Sequence, residues 1–203
     1  MEPELPLISL RLPLVLTFTV GLLALAGCDK EPRAPAQQES AATPSPSAQG
    51  PAAPDDGSEG KIDRSHKGSK MPDITVHDAK GAKLRLLSLV GKPVLINLWA
   101  TWCGPCVREL PTLDALAVRE QGRLAVLTVS QDSGQPDKVA AKLSAQPHLP
   151  VWLDPENDLG FFYNTGVLPT SVLYDAQGRE VWRMVGGHDW SGADTQALLA
   201  EAK

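Results

Sequence analysis

From about residue 71 onward, the apolar residues of the chain form patterns that predict alternating strands and helices. Continuous apolar runs at 94–99 and 124–130 are typical of strands that are buried on both faces. Between these runs, apolar residues recur at a spacing of three, which predicts a helix over 104–121 with a kink near Pro111. The other predicted strands cover 74–76, 83–86, 151–153, 170–174 and 181–185; the other predicted helices cover 134–146, 156–163 and 194–202, with a short turn or helix at 87–91.

The order of these elements predicts an α/β fold. Turn-forming residues at 78–81 join the first two strands into a hairpin, and those at 175–178 join the last two. Between the hairpins, strands alternate with helices, so helices are expected to cover both faces of a mixed sheet.

The residues before this domain divide into two segments of different composition. Residues 12–27 are almost wholly apolar, a run that is short for a membrane span but has the length of the apolar part of an export signal. We therefore predict a signal segment over 1–28, with an uncleaved membrane anchor as the alternative. Residues 29–70 contain few large apolar residues and many prolines, which predicts a disordered tether rather than a segment that folds onto the domain. The folded domain is then expected to span 71–203.

Charge and cysteine content narrow the function. The net charge is -5 at pH 7 and the pI is near 5.4, so the chain offers no basic face for nucleic acid. Its three cysteines are Cys28, Cys103 and Cys106, of which only the last two fall in the predicted domain. No structural disulfide beyond that pair is possible within the domain, so its stability must come from its core.

Cys103 and Cys106 lie where the predicted central strand leads into the predicted helix. Unpaired backbone N–H groups and the helix dipole favour negative charge there, which lowers the pKa of the first thiol. We therefore predict that Cys103 is a nucleophile and that Cys106 resolves the mixed disulfide it forms. The alternative is half of a zinc site, but zinc needs four ligands and no histidines are paired at ligand spacing, so no metal site is expected.

The string Trp-Cys-Gly-Pro-Cys at 102–106 resembles the active-site motif of the thioredoxin superfamily. Asn-Leu-Trp-Ala-Thr-Trp at 97–102 and Glu-Leu-Pro at 109–111 are similar to one branch, the extracytoplasmic TlpA/ResA-like thiol–disulfide oxidoreductases. The resemblance covers about residues 70–203. It implies a thioredoxin-like three-layer α/β/α sandwich with an N-terminal hairpin and a central helix–strand insertion.

The resemblance also implies roles for residues around the cysteines. Pro169 corresponds to a cis-proline opposite the active cysteines, and the backbone of Leu168 would pair with an extended substrate segment. From the sequence alone, a trans proline that opens an edge strand is the alternative. Trp102 is expected to shield the thiols and to contact substrates, together with Gly104 and Pro105.

Two polar residues concern proton transfer. Helical spacing puts Glu109 beside Cys106, and a glutamate at this position in the TlpA/ResA branch influences thiol ionisation. The alternative is a solvated carboxylate on the helix face. Thioredoxins proper carry a buried aspartate where this chain has Asn97, and because an amide cannot exchange protons, a relay would need Glu109 or water.

The N-terminal segment resembles an export signal of a particular kind. Leu-Ala-Gly-Cys at 25–28 is similar to the processing signal of bacterial lipoproteins, which implies that Cys28 is lipidated. Asp29 resembles the signal that keeps such lipoproteins in the inner membrane. We therefore expect a domain attached by lipid to the periplasmic face of the inner membrane.

These features predict a thiol–disulfide oxidoreductase, without a cofactor, that mainly reduces exported proteins. Its expected partners are disulfide-bearing proteins, as in cytochrome c maturation or copper-site assembly, and a membrane electron donor of the DsbD/CcdA type. A monomer is expected. A thiol peroxidase of the peroxiredoxin type is one alternative, which the adjacent Cys106 disfavours. A copper chaperone is another, but no well-placed His or Met accompanies the cysteine pair.

Overall fold

A computed structural model of the protein describes residues 59–202, so the predicted signal segment, Cys28 and most of the predicted tether lie outside it. The described strands are β1 (Lys61–Asp63), β2 (Thr75–His77), β3 (Lys83–Arg85), β4 (Val94–Trp99), β5 (Ala125–Ser130), β6 (Trp152–Leu153), β7 (Thr170–Tyr174) and β8 (Glu180–Val185). The helices are α1 (Gly104–Arg119), α2 (Pro136–Leu143), α3 (Asp158–Tyr163) and α4 (Thr195–Ala200), with a 3-10 helix over Leu86–Leu89. No described helix has the length and apolar character needed to cross a membrane.

The described strands form a single mixed sheet in the order β1-β8-β7-β4-β5-β6-β2-β3. The central strand β4 runs parallel to β5 and antiparallel to β7. The β2–β3 hairpin pairs with β6, so the N-terminal hairpin and the α2–β6–α3 insertion complete the same side of the sheet. This architecture confirms the α/β sandwich predicted from the order of elements.

Alternate residues of β4 point to opposite faces of the sheet, as the strand period of two requires. Leu95 and Trp99 pack in the core on the side of α1, whereas Ile96 and Leu98 pack in the core on the side of α3. All are fully buried. Helices therefore cover both faces, and Asn97 is a polar residue on the α1 side of the core, between two large apolar neighbours.

The first strand lies inside the segment predicted to be a tether. β1 pairs antiparallel with β8, and Lys70 forms a bridge with Arg179. The domain therefore begins before residue 71, and residues 61–70 belong to it and not to the predicted tether. Composition could not identify this strand because it has three residues and only one large apolar side chain, so backbone pairing supplies most of its stability.

The start of β1 lies against the loop that follows β8. The N–H of Gly60 donates to the C=O of Gly187 at 2.6 Å. A Cβ on Gly60 would lie 2.6 Å from the carbonyl oxygen of Gly186, so only glycine permits this approach. Gly186 itself has φ +98°, which also favours glycine.

A fragment that begins at residue 71 is expected to be less stable than one that begins at residue 59. The shorter fragment loses the β1–β8 pairing, the Arg64–Glu201 ion pair and the backbone bonds of Gly68 and Ser69 to Glu180. At about 1 kcal/mol per hydrogen bond, the loss should reach at least ~3 kcal/mol in the free energy of unfolding. Urea denaturation of both oxidised fragments measures it, and equal values would contradict the role given to β1.

Candidate active site

The turn between β4 and α1 positions the cysteine pair. The N–H of Cys103 donates to the C=O of Ala100 at 3.1 Å, and Cys103 then forms the N-cap of α1. Its Sγ accepts a hydrogen bond from the backbone N–H of Cys106 at 3.3 Å. Pro105 stands in the first turn, where a helix needs no N–H of its own. Cys103 Sγ thus lies at the positive end of the helix dipole, where the sequence places the first thiol.

Cys103 and Cys106 form a disulfide with an S–S distance of 2.07 Å. Cys103 retains 6% of its accessible surface, whereas Cys106 retains none. Of the two residues, only Cys103 therefore presents surface to a second protein.

In the reduced protein, Cys103 is expected to react with iodoacetamide at least ~10-fold faster than Cys106 at mildly acidic pH. The helix N-terminus and the greater exposure both favour its thiolate. Mass spectrometry of the labelled peptide gives the two rates, and the single variants Cys103→Ala and Cys106→Ala provide the reference rate for each thiol alone. Faster labelling of Cys106 would reverse the assignment.

Three residues around the disulfide have the exposure expected for substrate contact. Trp102 is 73% exposed, and Gly104 and Pro105 are also exposed. A Cβ on Gly187 would lie 3.9 Å from the Cβ of Pro105, so the loop after β8 runs beside the cysteine pair.

The Leu168–Pro169 peptide bond is cis, as the resemblance implied. Thr170 pairs with Leu98, near the end of β4 that leads into the cysteines. Pro169 therefore lies at the same edge of the sheet as the disulfide. Within residues 59–202, the backbone N–H and C=O of Leu168 make no hydrogen bond, so both can pair with another chain.

Glu109 is buried on α1, one turn after Cys106, with 4% of its surface exposed. Its Oε1 accepts a hydrogen bond from Asn97 Nδ2 at 2.5 Å, and its Oε2 accepts one from the backbone N–H of His188 at 3.1 Å. The interpretation of Glu109 as a solvated carboxylate is wrong, since helix spacing could not show that the β8–α4 loop covers this face.

Burial raises the pKa of Glu109 to about 7, and the N–H donors of His188 and Asn97 oppose that rise. Both protonation states of Glu109 are therefore accessible near neutral pH, which suits a group that exchanges a proton with a thiol.

Sequence reasoning missed two polar residues that support the site. Ser171 Oγ accepts a hydrogen bond from Asn97 Nδ2 at 2.9 Å. Asp132 accepts hydrogen bonds from the N–H of Thr101 at 2.8 Å and from its hydroxyl at 2.6 Å, and so fastens the loop before Cys103 to the end of β5. For Asp132 the available signal was its position just after the predicted strand 124–130, whereas nothing local in the sequence marks Ser171.

The fold and the disulfide at the start of α1 define a thiol–disulfide oxidoreductase of thioredoxin-like architecture. The redoxin family model matches residues 66–199, and the chain belongs to that family. The thiol–disulfide oxidoreductase ResA of Bacillus thuringiensis (strain Al Hakam) is 34% identical over 123 residues, which cover 59% of this chain and 69% of that protein. ResA of Geobacillus kaustophilus (strain HTA426) is 36% identical over 124 residues, with the same two coverages of 59% and 69%.

Solved structures agree with this assignment. A crystal structure from Chlorobium tepidum, assigned as the thiol:disulfide interchange protein DsbE, is similar with a TM-score of 0.61 and 26% identity, over 68% of this chain and 98% of that one. The exposed lipoprotein thioredoxin Etrx1 of Streptococcus pneumoniae strain TIGR4 is similar with a TM-score of 0.55 and 27% identity, over 63% of this chain and 98% of that one.

Proposed function

We propose that this protein is a membrane-tethered, periplasmic oxidoreductase that mainly reduces disulfides in exported proteins. The observation that carries the proposal is the disulfide between an accessible Cys103 and a fully buried Cys106, with Glu109 buried one turn further along α1. Gly104 and Pro105 separate the cysteines, as in the reducing thioredoxins that the motif resembles.

The reaction begins with the reduced pair. The Cys103 thiolate attacks one sulfur of the substrate disulfide; a mixed disulfide forms, and the other substrate sulfur leaves as a thiolate that takes a proton from water. Cys106 then gives its proton to the carboxylate of Glu109 and attacks Cys103 Sγ. The second substrate sulfur leaves as a thiolate that also takes a proton from water, and the two electrons lost by the pair appear in two substrate thiols. The product state of the protein is the disulfide seen in the structure.

Glu109 acts in this scheme as the proton acceptor for Cys106. Its pKa of about 7 allows it to be ionised before the resolving step and protonated after it. In its ionised form Glu109 also repels a neighbouring thiolate and so raises the pKa of the cysteine pair. Strong oxidants such as DsbA depend on a highly stabilised thiolate, which this carboxylate opposes. A nearby carboxylate is therefore more compatible with a reductant.

Substrates are proposed to bind along the edge that carries Pro169. An extended segment with a disulfide can form backbone hydrogen bonds with Leu168 and place its apolar side chains against Trp102. Backbone hydrogen bonds of this kind depend little on the sequence of the bound segment. Such binding suits partly unfolded exported proteins, such as an apocytochrome c before haem attachment or a copper-site protein. A membrane protein of the DsbD/CcdA type would return the electrons.

The proposed location is supported by the sequence before the domain. Lipidation at Cys28 would leave the domain on a tether at the periplasmic face of the inner membrane, where a membrane donor can reach it. The name of the pneumococcal relative, an exposed lipoprotein thioredoxin, supports this proposal. Substitution of Cys28 by serine should abolish the incorporation of labelled palmitate into the protein, and labelling that persists would contradict lipidation at this residue.

Equilibration of the Cys103–Cys106 pair with glutathione buffers tests the direction of the reaction. We expect a reduction potential near the thioredoxin value of about −270 mV. A value near that of DsbA, about −120 mV, would make the protein an oxidant and would overturn the reductase proposal. The fraction oxidised is read by alkylation and gel shift, with Cys106→Ala as the control that cannot close the disulfide.

A further inference from the structure

A buried group of polar side chains lies behind the cysteine pair and joins α1 to β4 and β7. Asn97 on β4 and Ser171 on β7 are direct partners across the two strands. The Nδ2 atom of Asn97 contacts both Ser171 Oγ, at 2.9 Å, and Glu109 Oε1, at 2.5 Å. The three residues are at most 4% exposed, so bulk water does not provide other partners for them.

The nitrogen and the oxygen of the Asn97 carboxamide differ in their hydrogen bonds. Nδ2 has two acceptors, whereas Oδ1 is buried without a hydrogen-bond partner. A buried carbonyl oxygen without a donor is unfavourable, so this orientation requires a reason. The ionised form of Glu109 supplies it, because a carboxylate can only accept hydrogen bonds and so requires Nδ2 to face it.

Protonated Glu109 requires the opposite orientation. Its Oε2 faces the N–H of His188, which cannot accept a hydrogen bond, so the proton belongs on Oε1. There it would face the N–H group of Asn97, and two donors would oppose each other. A half-turn of the carboxamide places Oδ1 against the Glu109 O–H instead, and the Ser171 hydroxyl can donate to the same oxygen, while the NH₂ group takes the position of the unpartnered oxygen. The two hydrogen bonds gained by Oδ1 and the removal of the two opposed donors favour the turned form.

We propose that Asn97 is a positioning residue whose carboxamide turns over when Glu109 gains or loses its proton, while Ser171 reverses its hydrogen bond. This inference deepens the proposed function, since it rests on Glu109 as the proton acceptor for Cys106. When the proton of Cys106 arrives on Glu109, Asn97 replaces its N–H donor by its C=O acceptor. A residue that cannot exchange protons thereby allows the buried acid to exist in both forms.

Within the network of Asn97, Ser171 and Glu109, only Glu109 has a side chain that gains or loses a proton. Cys106 precedes it by one turn on α1 and is held in the disulfide of the oxidised protein. His188 presents its backbone N–H to Glu109, while its ring contacts Thr195 and packs against Trp190. From β4 and β7, the facing groups are the uncharged Asn97 and Ser171.

A titration of the oxidised full-length protein by NMR tests the proposal without any activity measurement. The side-chain ¹⁵N resonance of Asn97 should move with the same midpoint, near pH 7, as the ¹³C carboxyl resonance of Glu109. The NOE contacts from the Asn97 NH₂ protons to Ser171 should be strong above the midpoint and weak below it. An Asn97 resonance that stays constant while Glu109 titrates would overturn the proposal.

Variants separate this coupling from a general structural role. In Glu109→Gln, the matched control, the Asn97 resonance should be independent of pH between about 6 and 8. In Asn97→Leu, which removes the donor to the carboxylate and the acceptor for the acid alike, the Glu109 midpoint should rise by less than about one unit. A larger rise would show that Asn97 is only a fixed donor to the carboxylate and would contradict the proposal; if this variant does not fold, the wild-type titration still decides. Failure of the reductase proposal would appear in the glutathione equilibrium and would leave these results unaffected.

Discussion

Replacement of Cys106 by alanine should stop the protein after its first half-reaction and leave a substrate attached to Cys103. The resolving sulfur is fully buried and already bonded to Cys103 in the oxidised state, so no other thiol of the described domain can take its place. Turnover with insulin and a chemical reductant should fall by at least ~10²-fold, as expected when a catalytic nucleophile is removed.

The same variant should identify the substrate when it is expressed in the native host. Purification without reductant would recover mixed disulfides, and mass spectrometry would name the attached proteins. The double variant with alanine at positions 103 and 106 is the control, because it retains the surface but has no sulfur for the bond. Capture of the same proteins by this control would show that the adducts do not arise from Cys103.

The second large effect concerns the pH dependence of stability in Glu109→Gln. In the folded protein the pKa of Glu109 is raised from 4.5 to about 7, mainly by burial. The folded state therefore holds its proton more tightly than the unfolded state does. The stabilisation is complete below about pH 4.5 and is lost as the pH rises through 7, because the buried carboxyl group is then ionised in the folded protein.

A shift of this size corresponds to about 3 kcal/mol in the free energy of unfolding between pH 4.5 and pH 8. Glutamine cannot ionise, so the variant should lack this loss, although it forfeits one hydrogen bond at every pH. The measured quantity is the difference in unfolding free energy between the oxidised variant and the oxidised wild type at each pH, in which the other carboxyl groups cancel. A difference that does not change between pH 5 and pH 8 would contradict the raised pKa.

The cysteine pair and the central strand could be predicted from the sequence because their signals are local. An apolar run that ends in Trp-Cys-Gly-Pro-Cys specifies both the buried strand β4 and the start of α1. The cis bond at Pro169 was implied by resemblance alone, since an isolated X-Pro dipeptide predicts the trans form.

The environment of Glu109 could not be predicted because it depends on residues that are distant in the chain. Asn97 lies 12 positions before it and His188 lies 79 after it. Helical periodicity locates Glu109 beside Cys106 but does not say what covers that side of α1. Ser171 escaped notice for the same reason, since only the register of β4 with β7 brings it to Asn97.

The edge strand β1 could not be predicted either, because its own residues carry no strand pattern. Its three residues, Lys61–Asp63, form a strand because β8 offers unpaired backbone groups at the edge of the sheet. A segment of such composition would be flexible without that edge. The boundary of the domain is thus determined by the partner strand and not by the apolar content of the segment itself.

The hydrogen bond between Gly60 and Gly187 fixes where the chain enters the domain. Because Gly187 lies beside Pro105, residue 60 itself lies near the rim of the disulfide. The other terminus leaves from α4, where Glu201 pairs with Arg64 at the opposite end of β1. An affinity tag, fluorophore or solid support attached before residue 60 would crowd large substrates, whereas the same group attached after residue 202 would leave the redox site open.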